Sequence, residues 1–167
     1  MNVLARVMRA AWDEATKPES YVRGDEFERF IREKLFPKES YELLHKTPNY
    51  IENNHDFIES SKAPDFRLRA KSNGIEFYVE AKFRSKYNNG SLEWCKPLQL
   101  KRYQEIDRTS PVLIAIGMGG HPHTPEKVFL IPVQHIKFIK LYASFLQRYE
   151  TAVHHSVSPV YVRSLIQ

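Results

Sequence analysis

From Ile75 to Arg84 the chain alternates without a break. Ile75, Phe77, Val79, Ala81 and Phe83 fall on one side; Glu76, Tyr78, Glu80, Lys82 and Arg84 fall on the other. A side-chain period of two belongs to an extended strand, so Ile75 to Phe83 is strand-like, with a core face and a polar or functional face. Lys71-Ser72-Asn73-Gly74 comes just before it, and Asn-Gly at a short connection is a strong hairpin signal. The partner strand is therefore Asp65 to Ala70.

Elsewhere the periodicity changes. The spacing predicts a helix from Glu19 to Phe36, with Phe27, Phe30, Ile31 and Leu35 as its apolar stripe and Pro37 as its stop. Tyr41 to Thr47 suits a first strand, while Tyr50 to Ala63 is polar and ambiguous. Lys86 to Trp94 reads as a loop, and Pro97 to Arg108 as a helix with proline in its first turn. Val112 to Gly117 is an almost unbroken apolar run, hence a buried strand. A turn-rich loop from Gly117 to Pro125, a strand from Lys127 to Pro132 and a helix from Val133 to Tyr149 follow. Near the N-terminus Val3, Leu4, Val7, Met8, Ala11 and Ala15 share one helical face, which points to a packed helix rather than a targeting segment. This order predicts an α/β sandwich with a mixed central sheet flanked by helices. One domain spans residues 1–167, with a core at about 20–132 and additions at 1–16 and 133–149.

Cys95 is the lone cysteine, which excludes a disulfide framework and a cysteine zinc site, and suits a reducing, cytoplasmic setting. No run nears the roughly 18 apolar residues that span a bilayer, so no membrane partner is expected. The net charge is +5, and the segment Asp65 to Arg108 alone holds ten Lys/Arg against six Asp/Glu. That balance favours a polyanionic partner at the segment that also holds the hairpin. His121-Pro-His123 and His154-His155 lack a third ligand of suitable spacing and read as loop histidines. Gly117-Met-Gly-Gly120 opens no helix with Lys-Ser/Thr, so it is not a phosphate-binding loop.

The chemistry gathers in the hairpin. Pro64-Asp65 is separated by fourteen residues from Glu80-Ala81-Lys82. Glu80 and Lys82 share a strand face, and the turn can bring Asp65 beside Glu80. Two carboxylates and an ammonium would then meet at a sheet edge. Magnesium, or manganese, prefers one or two carboxylates plus water and a substrate phosphate. Asp65 and Glu80 are thus candidate metal ligands with the Ala81 carbonyl as a third. Lys82 would orient the attacking water or stabilise the charge that develops on phosphorus. The plain alternative for Glu80 and Lys82 is a solvated pair worth at most about 1 kcal/mol.

Pro64-Asp65 with Glu80-Ala81-Lys82 resembles the motif of the PD-(D/E)xK nuclease superfamily, whose fold is restriction-endonuclease-like. Two more stretches agree. Gly24-Asp-Glu-Phe-Glu28 looks like the helix that supplies an extra acidic residue in Holliday-junction resolvases, which implies Glu28 as a further metal ligand. Glu28 is also one turn from Arg32, so an exposed pair with that residue is equally open. Gln99-Leu-Lys-Arg-Tyr103 looks like the Gln-x-x-x-Tyr motif of the helicase-nuclease branch, which implies a catalytic role for Gln99. Tyr103 is either a nucleic-acid contact on the same helical face or a core aromatic.

The expected activity is divalent-metal-dependent hydrolysis of nucleic-acid phosphodiesters, DNA before RNA, leaving a 5′-phosphate as the resemblance implies. Arg84, Lys86, Lys96, Lys101, Arg102 and Tyr103 are the candidate nucleic-acid contacts, with Tyr87 and Trp94 interleaved. Many enzymes of this fold pair to cut two strands, so a homodimer is open. The alternatives are an inactive nucleic-acid-binding module of the same fold, and a structural or protein-interaction role.

Overall fold

The computed structural model describes residues 3–5, 7–8, 19–48 and 62–167. Helix α1 (Glu19–Phe30) runs on through a wider π-helical turn, Ile31–Leu35, before Pro37 ends it. The Arg32 guanidinium donates to the Phe36 carbonyl at 2.6 Å and satisfies an acceptor at the helix end. Arg32 is therefore occupied by its own chain.

Strands β1 (Tyr41–Lys46), β2 (Phe66–Ala70) and β3 (Glu76–Arg84) follow, then a short β4 (Ser91–Glu93) and helix α2 (Pro97–Asp107). Next come β5 (Val112–His121), β6 (Thr124–Pro132), β7 (Lys140–Tyr142), the single turn α3 (Ala143–Leu146), β8 (Glu150–Thr151) and helix α4 (Pro159–Ile166). Six strands form the main sheet in the order β1-β2-β3-β5-β6-β8. The β3–β5 pair is parallel and the rest are antiparallel, so the sheet is mixed, with α2 in the crossover.

Both faces of this sheet are covered. Phe27, Ile31 and Leu35 from α1 pack on Phe77, Val79, Leu113 and Ala115, with Val162 of α4 in the same cluster. On the opposite face Leu100 and Tyr103 of α2 join Trp94, Ile114, Ile116, Phe129 and Leu141. The polar side of β3 is therefore not a solvated surface. Tyr78 packs into the second cluster and Glu80 is only 2% exposed. A buried carboxylate needs partners, and these define the site described below.

Four expectations are corrected. Gly117 to Pro125 is not a loop: β5 continues to His121 and turns through Pro122-His123 into β6, with Gly119 and Gly120 taking φ of 71° and 64° within the strand. Lys86 to Trp94 contains β4, which pairs with β7 in a separate two-stranded sheet. The expected helix over 133–149 is instead a 3₁₀ turn, β7, α3 and a second 3₁₀ turn. Its backbone finds partners elsewhere: Trp94 donates from N to Ile139 O at 3.0 Å, and Gln104 donates to Ile136 O at 3.0 Å. Tertiary pairing overrides the local pattern there. Finally, residues 3–5 and 7–8 are helical, but Val3, Leu4, Val7 and Met8 are exposed rather than packed. Ala11, Ala15 and most of the 50–63 segment lie outside the described residues.

Gly117 sits under the Phe27 ring, where an added Cβ would overlap the ring atoms. Phe27 is fully buried and cannot swing into solvent. Gly117→Ala is therefore expected to cost about 1–3 kcal/mol through overpacking, read as a lower denaturant midpoint at unchanged m. Adding Phe27→Leu should restore part of the loss; an unchanged midpoint in the single variant would contradict this packing.

Candidate active site

The site begins where β2 and β3 part. Their register pairs Phe66 with Val79, and continuing it sets Pro64 opposite Ala81. Proline has no N–H, so the Ala81 carbonyl loses the ladder donor that position 64 would otherwise supply. The Pro64 carbonyl is also turned away, accepting from Thr47 Oγ1 at 2.7 Å. The Ala81 N–H is left to the Asp65 carboxylate, donating to Oδ2 at 2.8 Å. The proline thus opens the sheet and places the Asp65 carboxylate in the gap.

Glu80 lies alongside. Its Oε2 accepts from the Asp65 backbone N–H at 3.3 Å, and its Oε1 accepts from Gln99 Nε2 at 3.4 Å. The same Oε1 holds the Lys82 ammonium at 2.5 Å. Gln99 also meets the Tyr103 hydroxyl at 2.8 Å, so α2 and β3 are tied together through Glu80. Glu28 reaches in from α1, 17% exposed at its side chain, with Lys46 Nζ at 3.6 Å. It faces the sheet and not Arg32.

Three carboxylates against two ammonium groups leave the site one negative charge in excess. Burial, then repulsion from Glu80 and Glu28, pushes Asp65 well above the usual carboxylate range. Burial likewise raises Glu28, with Glu80 adding to the shift and Lys46 opposing it. For Lys82 burial works against the charged form, but attraction from Glu80 and Asp65 outweighs it and holds the amine above its ordinary value. Lys82 is thus a cation at neutral pH, suited to stabilise charge and orient water rather than to take a proton. Burial and the nearby Glu80 raise the Tyr103 phenol, which stays a neutral donor or acceptor.

The donor set suits magnesium. Among the described residues no group of three or more His, Cys, Asp or Glu is placed to hold a metal ion by itself. Magnesium does not ask for such a group, keeping several waters on one or two carboxylates. Mutually repelling acids and a carbonyl stripped of its ladder donor are the partners a hard dication would satisfy. Two openings of about 390 and 470 Å³ meet at Glu28, Asp65 and Lys82, so a phosphate can enter.

The other candidates are placed as follows. The Arg84 guanidinium donates to the carbonyls of Phe83, Glu93 and Trp94, bracing the end of β3 against β4. Lys86 and Lys101 are exposed, and Lys96 is exposed beside Glu93 at 3.6 Å. Arg102 reaches the Lys62 carbonyl at 3.5 Å. Tyr103 is 2% exposed, with its ring in the second core cluster and its hydroxyl at the site. Sequence reasoning passed over Thr47 and Lys46. Their signal was positional: both sit at the end of β1 that the register sets beside Asp65.

The mixed sheet between helices, with its acids at a strand opening, is a restriction-endonuclease-like fold. Among solved structures it is similar to Hjc, a Holliday junction resolvase from the archaeal hyperthermophile Archaeoglobus fulgidus. The TM-score is 0.55 at 14% identity, over 78% of this chain and 97% of that one. At that identity the likeness is one of fold alone. No protein-family model and no curated protein matches the sequence.

Proposed function

We propose that this chain is a divalent-metal-dependent nuclease that hydrolyses phosphodiesters, with DNA as substrate. The observation that carries the reading is the convergence of Asp65, Glu80 and Lys82 at the gap opened by Pro64. The basic balance of the surrounding segment supports it, as does the fold shared with a protein described as a Holliday junction resolvase.

Asp65, Glu80, the Ala81 carbonyl and Glu28 would hold the ion, magnesium or manganese. When bound, it would supply a more acidic water and charge compensation at phosphorus. The protein's own groups do the rest. Lys82, pinned by Glu80, presents a fixed cation to the attacking water or to a non-bridging phosphate oxygen. Gln99 and Tyr103 act on Glu80, fixing its rotamer from α2. Lys86, Lys96, Lys101 and Arg102 would meet the phosphate backbone. Cutting both strands of a duplex calls for two such sites, which a homodimer would supply. Among the described residues no helix is long and apolar enough to cross a membrane.

The test is incubation of plasmid, linear and branched DNA with Mg²⁺ or Mn²⁺ against an EDTA control. Cleavage is expected with either ion and none with EDTA. Without DNA, saturating Mg²⁺ is expected to raise the melting temperature of the wild type by several degrees, since an ion at 100 times its Kd adds about 2.7 kcal/mol. Binding that weakens with salt, with no cutting under any ion, would instead establish the inactive binding module.

A further inference from the structure

Beyond the acid cluster, the segment Lys137-Phe-Ile-Lys-Leu-Tyr142 interleaves basic and aromatic residues. In the fold it borders a groove of about 470 Å³, within the size range of small-ligand sites. Phe138 and Tyr142 line it while remaining 70% and 55% exposed. Large rings held this far in water contribute little to folding. Lys140 Nζ stands 5.9 Å from the Tyr142 ring centroid, and the Arg148 guanidinium 5.8 Å from that of Phe145.

The charges around the groove have one sign. Lys137, Lys140 and Arg148 line it, with no Asp or Glu among the lining residues. Two acids that adjoin it in register or sequence are engaged: Glu93 faces Lys140 across the β4–β7 pair and has Lys96 at 3.6 Å, and Glu150, next to Tyr149, has Lys127 at 3.5 Å. The groove is also coupled to the acid cluster. Trp94 Nε1 donates to the Phe138 carbonyl at 3.3 Å, and the Trp94 ring stacks on Tyr103 at 6.5 Å. Tyr103 in turn meets Gln99 at the acids.

We propose that this groove binds an unpaired stretch of nucleic acid, its bases stacked on Phe138 and Tyr142 and its phosphates met by Lys137, Lys140 and Arg148. Ring faces can stack only on bases whose own faces are free, so the ligand is a single strand or a flap and not an intact duplex. The proposal rests on the nuclease reading only for the class of its ligand. It makes the preferred substrate one with single-stranded character beside the cut.

The test is fluorescence anisotropy of a labelled oligothymidylate of about 15 nucleotides, in EDTA at low salt, so that cleavage plays no part. Phe138→Ala with Tyr142→Ala is expected to weaken binding roughly tenfold or more, with a blunt duplex of equal length changed less than about twofold. Phe138→Leu, which keeps apolar area but no ring, should also lose affinity, and Val160→Ala on α4 should not. Photo-crosslinks from 5-iododeoxyuridine in the wild type should map to Phe138 or Tyr142, an answer that needs no variant. Equal affinity in wild type and double variant, equal loss on duplex and single strand, or no oligothymidylate binding by the wild type would overturn the proposal. Because binding is read in EDTA and cleavage separately with the ion, absent cleavage with intact stacking rejects the nuclease reading alone, and intact cleavage with indifferent groove variants rejects the groove alone.

Discussion

Asp65→Asn is expected to reduce DNA cleavage by about 10³-fold or more and, in the same protein, to raise the melting temperature in EDTA. The two effects have one cause. The Asp65 carboxyl is raised first by burial and then by repulsion from Glu80 and Glu28. The folded state therefore binds its proton more tightly than the unfolded chain does. Such a group opposes folding once pH exceeds its unfolded value, and the penalty is in full force above its folded value. The amide is isosteric and uncharged, and its Oδ1 can still accept from the Ala81 N–H that Oδ2 now satisfies. Relief of about 1 kcal/mol would appear as roughly 2–4 °C. Saturating Mg²⁺ should reverse the order, stabilising the wild type but not the variant. Retained cleavage in Asp65→Asn would reject the catalytic assignment. A lower melting point in EDTA would reject the electrostatic one and leave the geometry in place.

That opposition between stability and function marks where the sequence was legible. Strict alternation from Ile75 to Arg84 and the Asn-Gly turn located the hairpin to within a residue or two. Because side chains alternate, Glu80 and Lys82 had to share a face, so their meeting was a covalent consequence of the strand. Pro64 was legible only as part of a motif. Its physical effect, the freeing of both Ala81 backbone groups, needs the β2–β3 register. Glu28 was left between Arg32 and the sheet, because helical spacing alone allows both. The choice came from the π-helical turn and the Phe36 carbonyl that engages Arg32. The 133–149 segment misled for a different reason. Its apolar spacing suits a helix, yet its backbone is satisfied by Trp94 and Gln104, far off in sequence. Ser158 and Pro159 do cap α4 in the usual way, with the Ser158 side chain accepting from Tyr161 N, a local signal the sequence reading did not take up.

Lys82→Ala should also abolish cleavage, but with the opposite effect on stability. Lys82 is the ammonium in direct contact with Glu80, whose side chain is 3% exposed. Its removal strands a buried carboxylate beside Asp65 and Glu28, with the Gln99 amide, the Asp65 N–H and the Tyr103 hydroxyl as donors to it. Breaking a fully buried pair costs about 3–5 kcal/mol; since the Lys82 side chain keeps 23% of its exposure, about 2–4 kcal/mol is expected. The melting temperature should then fall by roughly 5–15 °C. A chain of this size retains enough stability to remain folded at 25 °C, so the loss of activity can be read separately. Adding Glu80→Gln to Lys82→Ala should recover part of the stability and none of the cleavage, because the stranded charge goes but the amide oxygen can accept from only one side, leaving its NH2 against the other donor. Lys82→Arg supplies a further contrast: it keeps the positive charge and much of the stability, but spreads that charge over a planar fork that cannot present a compact ammonium to water or phosphate. Full stability in Lys82→Ala would mean that the ion pair has no part in holding the site.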